Sequence, residues 1–300
     1  MTRKEFITKA IDALSSTYSL GESKAIAIRI LTHYLGLSEY EYYMEQNVPI
    51  PKSGQTPLLK ALDELLEDRP VQYIIGYADF AGHAFNVSEA VLIPRPETEQ
   101  LCRIITGEWK KSGYTSLRIL DACTGSGCIA YTLACSFPKS SVFACDNSPE
   151  ALEVAMGQKV FIDGQHRQPL ENIPVFFQYD ILSGVPEDNG SVPNIEDLDI
   201  LVSNPPYVLE SEKEFMKANV LEYEPASALF VPDSDPLRFY RPLAEWAEKL
   251  LKTGGRGYFE INEAMSEKVA GLVEGCGFSE VEILDDIHNR HRFVSFTKWF

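Results

Sequence analysis

Asn204-Pro205-Pro206-Tyr207 stands at the end of an apolar run, Leu198 to Val202, and is the part of the chain best equipped for chemistry. Proline has no backbone N–H, so neither Pro205 nor Pro206 can donate to a helix or a sheet, and nearby carbonyls stay available. The Asn204 side-chain oxygen and the Pro205 carbonyl can then accept both hydrogens of a planar –NH2. Its lone pair is left pointing at an electrophile while the Tyr207 ring covers the plane. That arrangement suits alkylation of a poor nitrogen nucleophile. The same four residues also suit a rigid turn after a buried strand, so the choice between the two rests on the remainder of the chain.

A second group lies upstream. Leu117 to Cys123 reads as a short buried strand, followed by Thr124-Gly125-Ser126-Gly127 and a helical stretch, Cys128 to Cys135. Strand, glycine turn and helix in that order make a nucleotide-type site, because Gly125 and Gly127 allow backbone angles closed to other residues and a close approach to a ligand. Ser141 to Cys145 is a second strand, ending in Asp146, where an open parallel sheet places a carboxylate against ribose hydroxyls. Gly125-x-Gly127-x-x-Ala130 also fits a loose dinucleotide fingerprint, which keeps a nicotinamide oxidoreductase in view. Such an enzyme needs a hydride partner and a proton donor. None of the five histidines, His33, His83, His166, His288 and His291, falls at these strand ends, and each is expected in a solvated loop.

Taken in order, these segments resemble the release-factor glutamine methyltransferases, and the resemblance covers nearly the whole length. Arg69 to Gly76 is similar to that family's segment between two domains, and Leu92-Ile93-Pro94-Arg95-Pro96-Glu97-Thr98-Glu99 to its entry into the catalytic domain. Asp121 to Gly127 corresponds to the methyl-donor loop, Asp146 to the ribose acid, Asn204 to Tyr207 to the substrate motif, and Glu222 to Leu229 to a Glu-Pro stretch with a following Ala-Leu. Two departures fall in the donor site: Ala122-Cys123 replace a usual Leu-Gly, and Ile181 follows Asp180 where an aromatic is common. The resemblance implies S-adenosylmethionine as donor, held by Asp121, Cys123, Thr124, Gly125, Ser126, Gly127, Asp146, Asp180, Ile181 and Asn204. It implies catalysis by Asn204, Pro205, Pro206 and Tyr207, with the methyl passing to the side-chain amide nitrogen (N5) of the glutamine in the Gly-Gly-Gln tripeptide of class I peptide chain release factors.

Composition narrows the partners. With 27 basic against 44 acidic residues the net charge is −17, and no basic run is present. Enzymes with an Asn-Pro-Pro-Tyr motif also methylate exocyclic amines of nucleic acid bases, but duplex binding depends on Lys and Arg neutralising phosphates. The acidic balance favours a protein partner with a basic surface and no direct nucleic-acid contact, with a DNA or RNA amino-methyltransferase as the alternative reading. A donor-binding module without activity would leave Asn204 to Tyr207 unused. Six cysteines without a CxxC pair read as buried thiols rather than disulfides or a metal site. Met1 to Leu20 mixes Arg3, Lys4, Glu5, Lys9 and Asp12 into a helical period, which reads as no signal peptide, no membrane segment and a cytoplasmic enzyme.

The elements that must position these groups follow from periodicity. Met1 to Glu67 is helical, with one stripe of Phe6, Ile7, Ala10, Ile11 and Leu14, another of Leu58, Leu59, Leu62, Leu65 and Leu66, and a breaker segment at Val48 to Thr56. Val71 to Leu92, turning at Gly76 and Gly82, reads as a β-hairpin. Strands near residues 117, 141, 175, 198, 256, 281 and 292 alternate with helical segments, which gives a mostly parallel sheet covered on both faces. The last two are joined only by Asp285 to Arg290, too short for a parallel crossover, so they must be antiparallel. Pro186 to Asn194 reads as a surface loop. The pattern gives an α/β class with a seven-stranded, mostly parallel sheet, an antiparallel last strand and a small N-terminal helical bundle, and the resemblance implies that this is a Rossmann-like S-adenosylmethionine-dependent methyltransferase. The resemblance implies a division into 1–75 for substrate recognition, 76–95 as a hairpin linker and 96–300 for methyl transfer, while the apolar stripes of the first region fit an ordinary packed N-terminal extension equally well.

Overall fold

The chain divides into two units, Met1–Gly76 with Lys217–Tyr223, and Tyr77–Met216 with Glu224–Phe300. The computed structural model describes residues 1–159, 161–163, 168–188 and 190–300, so His166 lies outside the described residues, as does Asn189 in the stretch Pro186 to Asn194. Val192 and Ile195, in and just beyond that stretch, are buried, so it is anchored in the core rather than lying wholly on the surface.

The first unit is built on helices α1 (Arg3–Leu14), α2 (Leu20–Leu35), α3 (Glu39–Met44), α4 (Lys52–Leu66) and α5 (Val71–Ile75). The first three each open on a reciprocal capping box, Thr2 with Glu5, Ser19 with Glu22 and Ser38 with Glu41, which satisfies backbone donors that a helix start leaves unpaired. Phe6, Ile7, Ala10 and Leu14 are buried with Ile28, Leu31, Leu58, Leu62 and Leu65. Leu66 is 50% exposed, and Ala61 takes its place in the buried set. Leu58, Ala61, Leu62 and Leu65 follow the i, i+3, i+4, i+7 seam of a helix, and Leu66 lies off it. The breaker segment is shorter than its composition suggests, since α4 already begins at Lys52 and takes Pro57 into its body. Helix Ala218–Tyr223 joins this unit, with the Tyr223 hydroxyl donating to the Glu67 carbonyl at 2.8 Å.

The second unit opens on a hairpin, β1 (Tyr77–Phe80) and β2 (His83–Asn86), shorter than expected because residues 71–75 are helical. Its two-residue turn, Ala81-Gly82, has φ of 50° and 81°, the positive values that match a tight turn to the twist of paired strands. Helix α6 (Pro96–Lys111) follows, then β3 (Arg118–Ala122), α7 (Cys128–Ser136), β4 (Ser141–Asp146), α8 (Pro149–Met156), β5 (Val175–Gln178), β6 (Leu198–Ser203), α9 (Tyr240–Leu250), β7 (Leu251–Glu260), α10 (Ser266–Gly275), β8 (Ser279–Asp285) and β9 (His291–Thr297). The seven strands β3 to β9 form one sheet in the order β8-β9-β7-β6-β3-β4-β5. The links from β7 through β5 are parallel, and β9 runs antiparallel to both its neighbours, as the short connection, residues 286–290, requires. This is the strand arrangement that the resemblance implies.

Neighbouring residues on β3 and β6 point to opposite faces. Leu120 and Leu201 join a cluster with Tyr240, Trp246 and Phe259, while Ile119 and Ile200 join another with Leu101, Ile129 and Leu133. Both faces are therefore buried, which is why these strands read as continuous apolar runs. β3 lies between β4 and β6, the place where strand order reverses, and Ala122 is opposite both Cys145 and Ser203. A crevice opens at the carboxyl ends of the strands at such a point. Among the described residues no helix is long and apolar enough to cross a membrane. None of the six cysteines is in a disulfide.

Candidate active site

A cavity of about 450 Å3 lies at the carboxyl ends of the central strands, within the common range for a small-molecule or cofactor site. Cys123, Thr124, Gly125 and Ser126 from the loop after β3, Asp146 at the end of β4, Asp180 and Ile181 after β5, and Asn204 and Pro206 after β6 all line it. Separate stretches of sequence thus converge because parallel strands bring their ends to one edge.

The loop is held from beneath. Asp121 has no exposed surface, and its Oδ2 accepts from the Thr124 hydroxyl at 2.6 Å and the Ala130 N–H at 3.1 Å. Asp121 therefore does not touch the cavity as expected; it ties the loop to the start of α7. Gly127 does not line the cavity either. It takes φ of 80°, and a Cβ there would sit 3.2 Å from the Ala155 Cβ, so its role is close packing onto α8. Gly125, at φ 54°, faces open space, with nothing within 4 Å of where a Cβ would be. Cys123 is already outside β3 at φ 61°, in the left-handed region that favours glycine. The residue replacing the usual glycine has therefore kept the glycine conformation, at a cost of about 1 to 3 kcal/mol for a side chain with a Cβ.

Asp146 holds the cavity side of the loop, with Oδ2 accepting from the Gly125 N–H at 2.9 Å and Oδ1 from the Ser148 N–H at 3.0 Å. Burial raises its carboxyl above the usual range, and these backbone N–H groups act the other way. A carboxylate offers about four lone-pair sites, so both oxygens keep capacity for a diol. The walls include aromatic rings not singled out from the sequence: Tyr179, Phe230 and Phe239. Tyr179 is braced edge-on by Trp246 at 5.5 Å. Ile181 is aliphatic, but Tyr179 two positions before it supplies a ring to the same cavity.

Burial also pushes the Asp121 carboxyl up to about 7, against the pull of Thr124 and Ala130, and its Oδ1 has no hydrogen-bond partner among the described residues. Its folded value is thus above its unfolded value near 3.9, so the native state holds the proton more tightly. The resulting stability is complete below about pH 4 and is lost as pH rises through about 7. Asp121→Asn keeps an acceptor for Thr124 and Ala130 but cannot titrate. Urea unfolding should show the parent gaining about 2 to 3 kcal/mol relative to this variant between about pH 8 and pH 5. A difference that does not change with pH would mean that Asp121 is not buried as a titrating acid.

Asn204 sits at the cavity end of a hydrogen-bonded chain. Its Nδ2 donates to Thr98 Oγ1 at 3.1 Å, and the Thr98 hydroxyl donates to Glu260 Oε2 at 2.7 Å. The Tyr207 hydroxyl donates to Glu260 Oε1 at 3.0 Å. Pro205 and Tyr207, expected on the cavity, are not among its lining residues: Pro205 is buried, and the Tyr207 ring packs against the core with its hydroxyl turned to Glu260. Burial and the Glu260 carboxylate raise the Tyr207 phenol far above its ordinary range, so it stays neutral. Burial pushes Glu260 up to about 7, with Thr98, Tyr207 and Arg292 pulling the other way. Neither Thr98 nor Glu260 was given a role from the sequence, although a carboxylate interrupting Tyr258-Phe259-Glu260-Ile261 is a buried charge in need of partners. The cavity rim is clasped by Glu224, which accepts from Arg95 Nη2 at 2.6 Å and the Ile93 N–H at 3.2 Å.

The four described histidines stand away from this cavity, though not all in loops: His33 is in the last turn of α2, and His83 and His291 begin β2 and β9. His288 alone of the described histidines is in a turn. None of these four lines the cavity.

Residues 5–76 match the family described as the PrmC N-terminal domain. Over 283 residues the chain is 38% identical to a release factor glutamine methyltransferase of Bacteroides thetaiotaomicron, covering 94% of this chain and 95% of that one. It is 37% identical over 296 residues to the protein of the same description from Flavobacterium psychrophilum, covering 98% of each. A third, from Chlorobaculum tepidum, is 35% identical over 292 residues, covering 96% of this chain and 95% of its own length.

Proposed function

Because the chain belongs to the release factor glutamine methyltransferases, we propose that it moves a methyl group from S-adenosylmethionine to the side-chain amide nitrogen, N5, of the glutamine in the Gly-Gly-Gln tripeptide of class I peptide chain release factors. The observation that carries this reading is the orientation of Asn204, whose Nδ2 is engaged by Thr98 so that Oδ1 is left for the cavity it lines. An acceptor aimed into a cofactor-sized cavity is what an –NH2 substrate needs.

The residues present fit the donor. Gly125 leaves open space beside the backbone, Asp146 offers lone pairs for ribose hydroxyls, and Tyr179, Ile181 and Phe239 give flat or apolar wall for a base. When bound, S-adenosylmethionine supplies a methyl group on a positively charged sulfur that departs as a neutral thioether.

An amide nitrogen is delocalised into its carbonyl and hardly nucleophilic, so orientation does most of the work. Asn204 Oδ1 accepts one hydrogen of the glutamine –NH2. Pro206 is on the cavity wall, and the Pro205 carbonyl bonded to its nitrogen is the second acceptor we assign. Held at two points, the nitrogen presents its lone pair toward the methyl carbon. With the methyl that the donor would supply, the nitrogen would gain an N–C bond in place of the donor's C–S bond, and its extra proton, acidic once the nitrogen is alkylated, would leave to water. Correct placement of this kind can supply several kcal/mol, within about 7 to 11 for ideal cases. No strong base is required, in keeping with a Tyr207 hydroxyl committed to Glu260.

We assign residues 1–75 to gripping the release factor, 76–95 to joining the two regions and 96–300 to methyl transfer. Contacts far from the reacting atom commonly serve to position it, so a short Gly-Gly-Gln peptide should be a poorer substrate than the whole factor by about 100-fold in kcat/KM. Incubation of purified release factor with this protein and labelled donor, followed by peptide mapping, should place one added methyl on the tripeptide glutamine. Methylation of duplex DNA or RNA in preference to the factor would reject this reading.

A further inference from the structure

An asparagine amide can face a cavity with its oxygen or with its –NH2, and the two choices select opposite substrates, since the first attracts an –NH2 and the second a carbonyl. Three side chains decide between them here. Glu260, at the end of β7, is 1% exposed and receives the hydroxyl hydrogens of Thr98 and Tyr207 on its two oxygens. A threonine hydroxyl has one hydrogen to give. With that hydrogen committed to the Glu260 carboxylate, Thr98 Oγ1 has only lone pairs left to offer Asn204, and the end of the amide turned toward it at 3.1 Å must be Nδ2. Oδ1 then has no partner among the described residues and belongs to the cavity. The Tyr240 hydroxyl donates to the Glu260 carbonyl at 2.9 Å, which fixes the backbone beneath the carboxylate.

We propose that Glu260 is a positioning residue that acts through Thr98 to hold Asn204 with its oxygen toward the substrate, so that the polarity of the acceptor is set by a carboxylate outside the cavity. This rests on the reading of Asn204 as the acceptor for the glutamine –NH2. Glu260 touches neither substrate nor donor. Its effect is on which end of one amide faces them, and it depends on the chain Glu260, Thr98, Asn204 being unbroken.

The test uses the whole chain in alkaline buffer, where Glu260 is ionised, with the single variants Thr98→Val, Thr98→Ser, Glu260→Gln and Asn204→Ala and the double variant of Thr98→Val with Asn204→Ala. The side-chain amide of Asn204, identified in an 15N spectrum by its loss in Asn204→Ala, should exchange its hydrogens at least about tenfold faster in Thr98→Val than in the parent, and Thr98→Ser should restore most of the protection. Turnover of the release factor should fall about 30- to 100-fold in Thr98→Val and in Glu260→Gln, with KM for the factor changed far less, and Thr98→Ser should recover most of the loss. Combining Thr98→Val with Asn204→Ala should cost no more than about twofold beyond Asn204→Ala alone, because a residue acting only through Asn204 has nothing left to act on. Unchanged amide exchange in Thr98→Val, or a full additional loss on the Asn204→Ala background, overturns the proposal. If Glu260→Gln does not fold, the threonine pair carries the test. If the parent methylates no glutamine, the functional reading fails, while the amide exchange still decides how Asn204 is held.

Discussion

Asn204→Ala should fold, bind the donor within a few-fold of the parent, and lose turnover by a factor of about 100 to 1,000. Removal of one preorganised polar contact at a reacting centre costs about 2.7 to 4 kcal/mol, and in the proposed function this contact is one of two that hold a weak nucleophile. The loss should appear in kcat with whole release factor as substrate, after thermal melting confirms a folded protein. Turnover within about fivefold of the parent would remove Asn204 from the reaction. Asn204→Asp is the closer probe. On sequence alone an aspartate still accepts hydrogen bonds, and partial activity would be expected. The structure changes that expectation, because the Thr98 hydroxyl has a single hydrogen and would face two carboxylates, Glu260 and the new one. The aspartate variant should therefore be as impaired as the alanine variant, with its loss relieved as pH falls and one of the two carboxylates takes a proton.

Asp146→Ala should weaken donor binding by about 30- to 1,000-fold, roughly 2 to 4 kcal/mol, while turnover at saturating donor falls much less. The carboxylate has two separate tasks in this geometry. It accepts the Gly125 and Ser148 N–H groups at 2.9 and 3.0 Å, which orders the glycine loop, and its remaining lone pairs are those we assign to the ribose. Charge-assisted hydrogen bonds are worth about 1.5 to 3 kcal/mol each before water compensates for part of the loss. Calorimetry with S-adenosylmethionine measures the effect directly. Asp146→Asn separates the tasks: it keeps one acceptor for the loop and should lie between the parent and the alanine variant. Donor affinity unchanged in both variants would leave Asp146 as a strand-end cap for Ser148 and no more.

What the sequence determined by itself was everything governed by local pattern. Apolar runs of the right length gave the seven strands, and the connection Asp285 to Arg290 forced the last pair to be antiparallel because it cannot span a crossover. The glycines of the loop and the two prolines after Asn204 announced themselves because their backbones have few other uses. The ordered motifs were specific enough to indicate the family, and with it the reaction. Some local readings failed for local reasons: Val71 to Ile75 alternates like a strand yet is helical, its end set by Gly76 at φ 80°. Cys123 was read as the last residue of a strand, although its positive φ belongs to the loop.

Only the tertiary structure decided which side chains meet. Asp121 was placed on the ligand from its motif, and it proved to be the buried tie beneath the loop, since its strand runs through the centre of a sheet covered on both faces. Lys217–Tyr223 folds with the N-terminal helices, and nothing in its own composition sets it apart from the catalytic region on either side. Thr98 and Glu260 are 162 residues apart in sequence, and their hydrogen bond exists because α6 and the end of β7 pack together behind Asn204. Periodicity reports which face of an element is buried, but not what it is buried against. The motif supplied Asn204, whereas the orientation of its amide came from two residues that no local pattern connects to it.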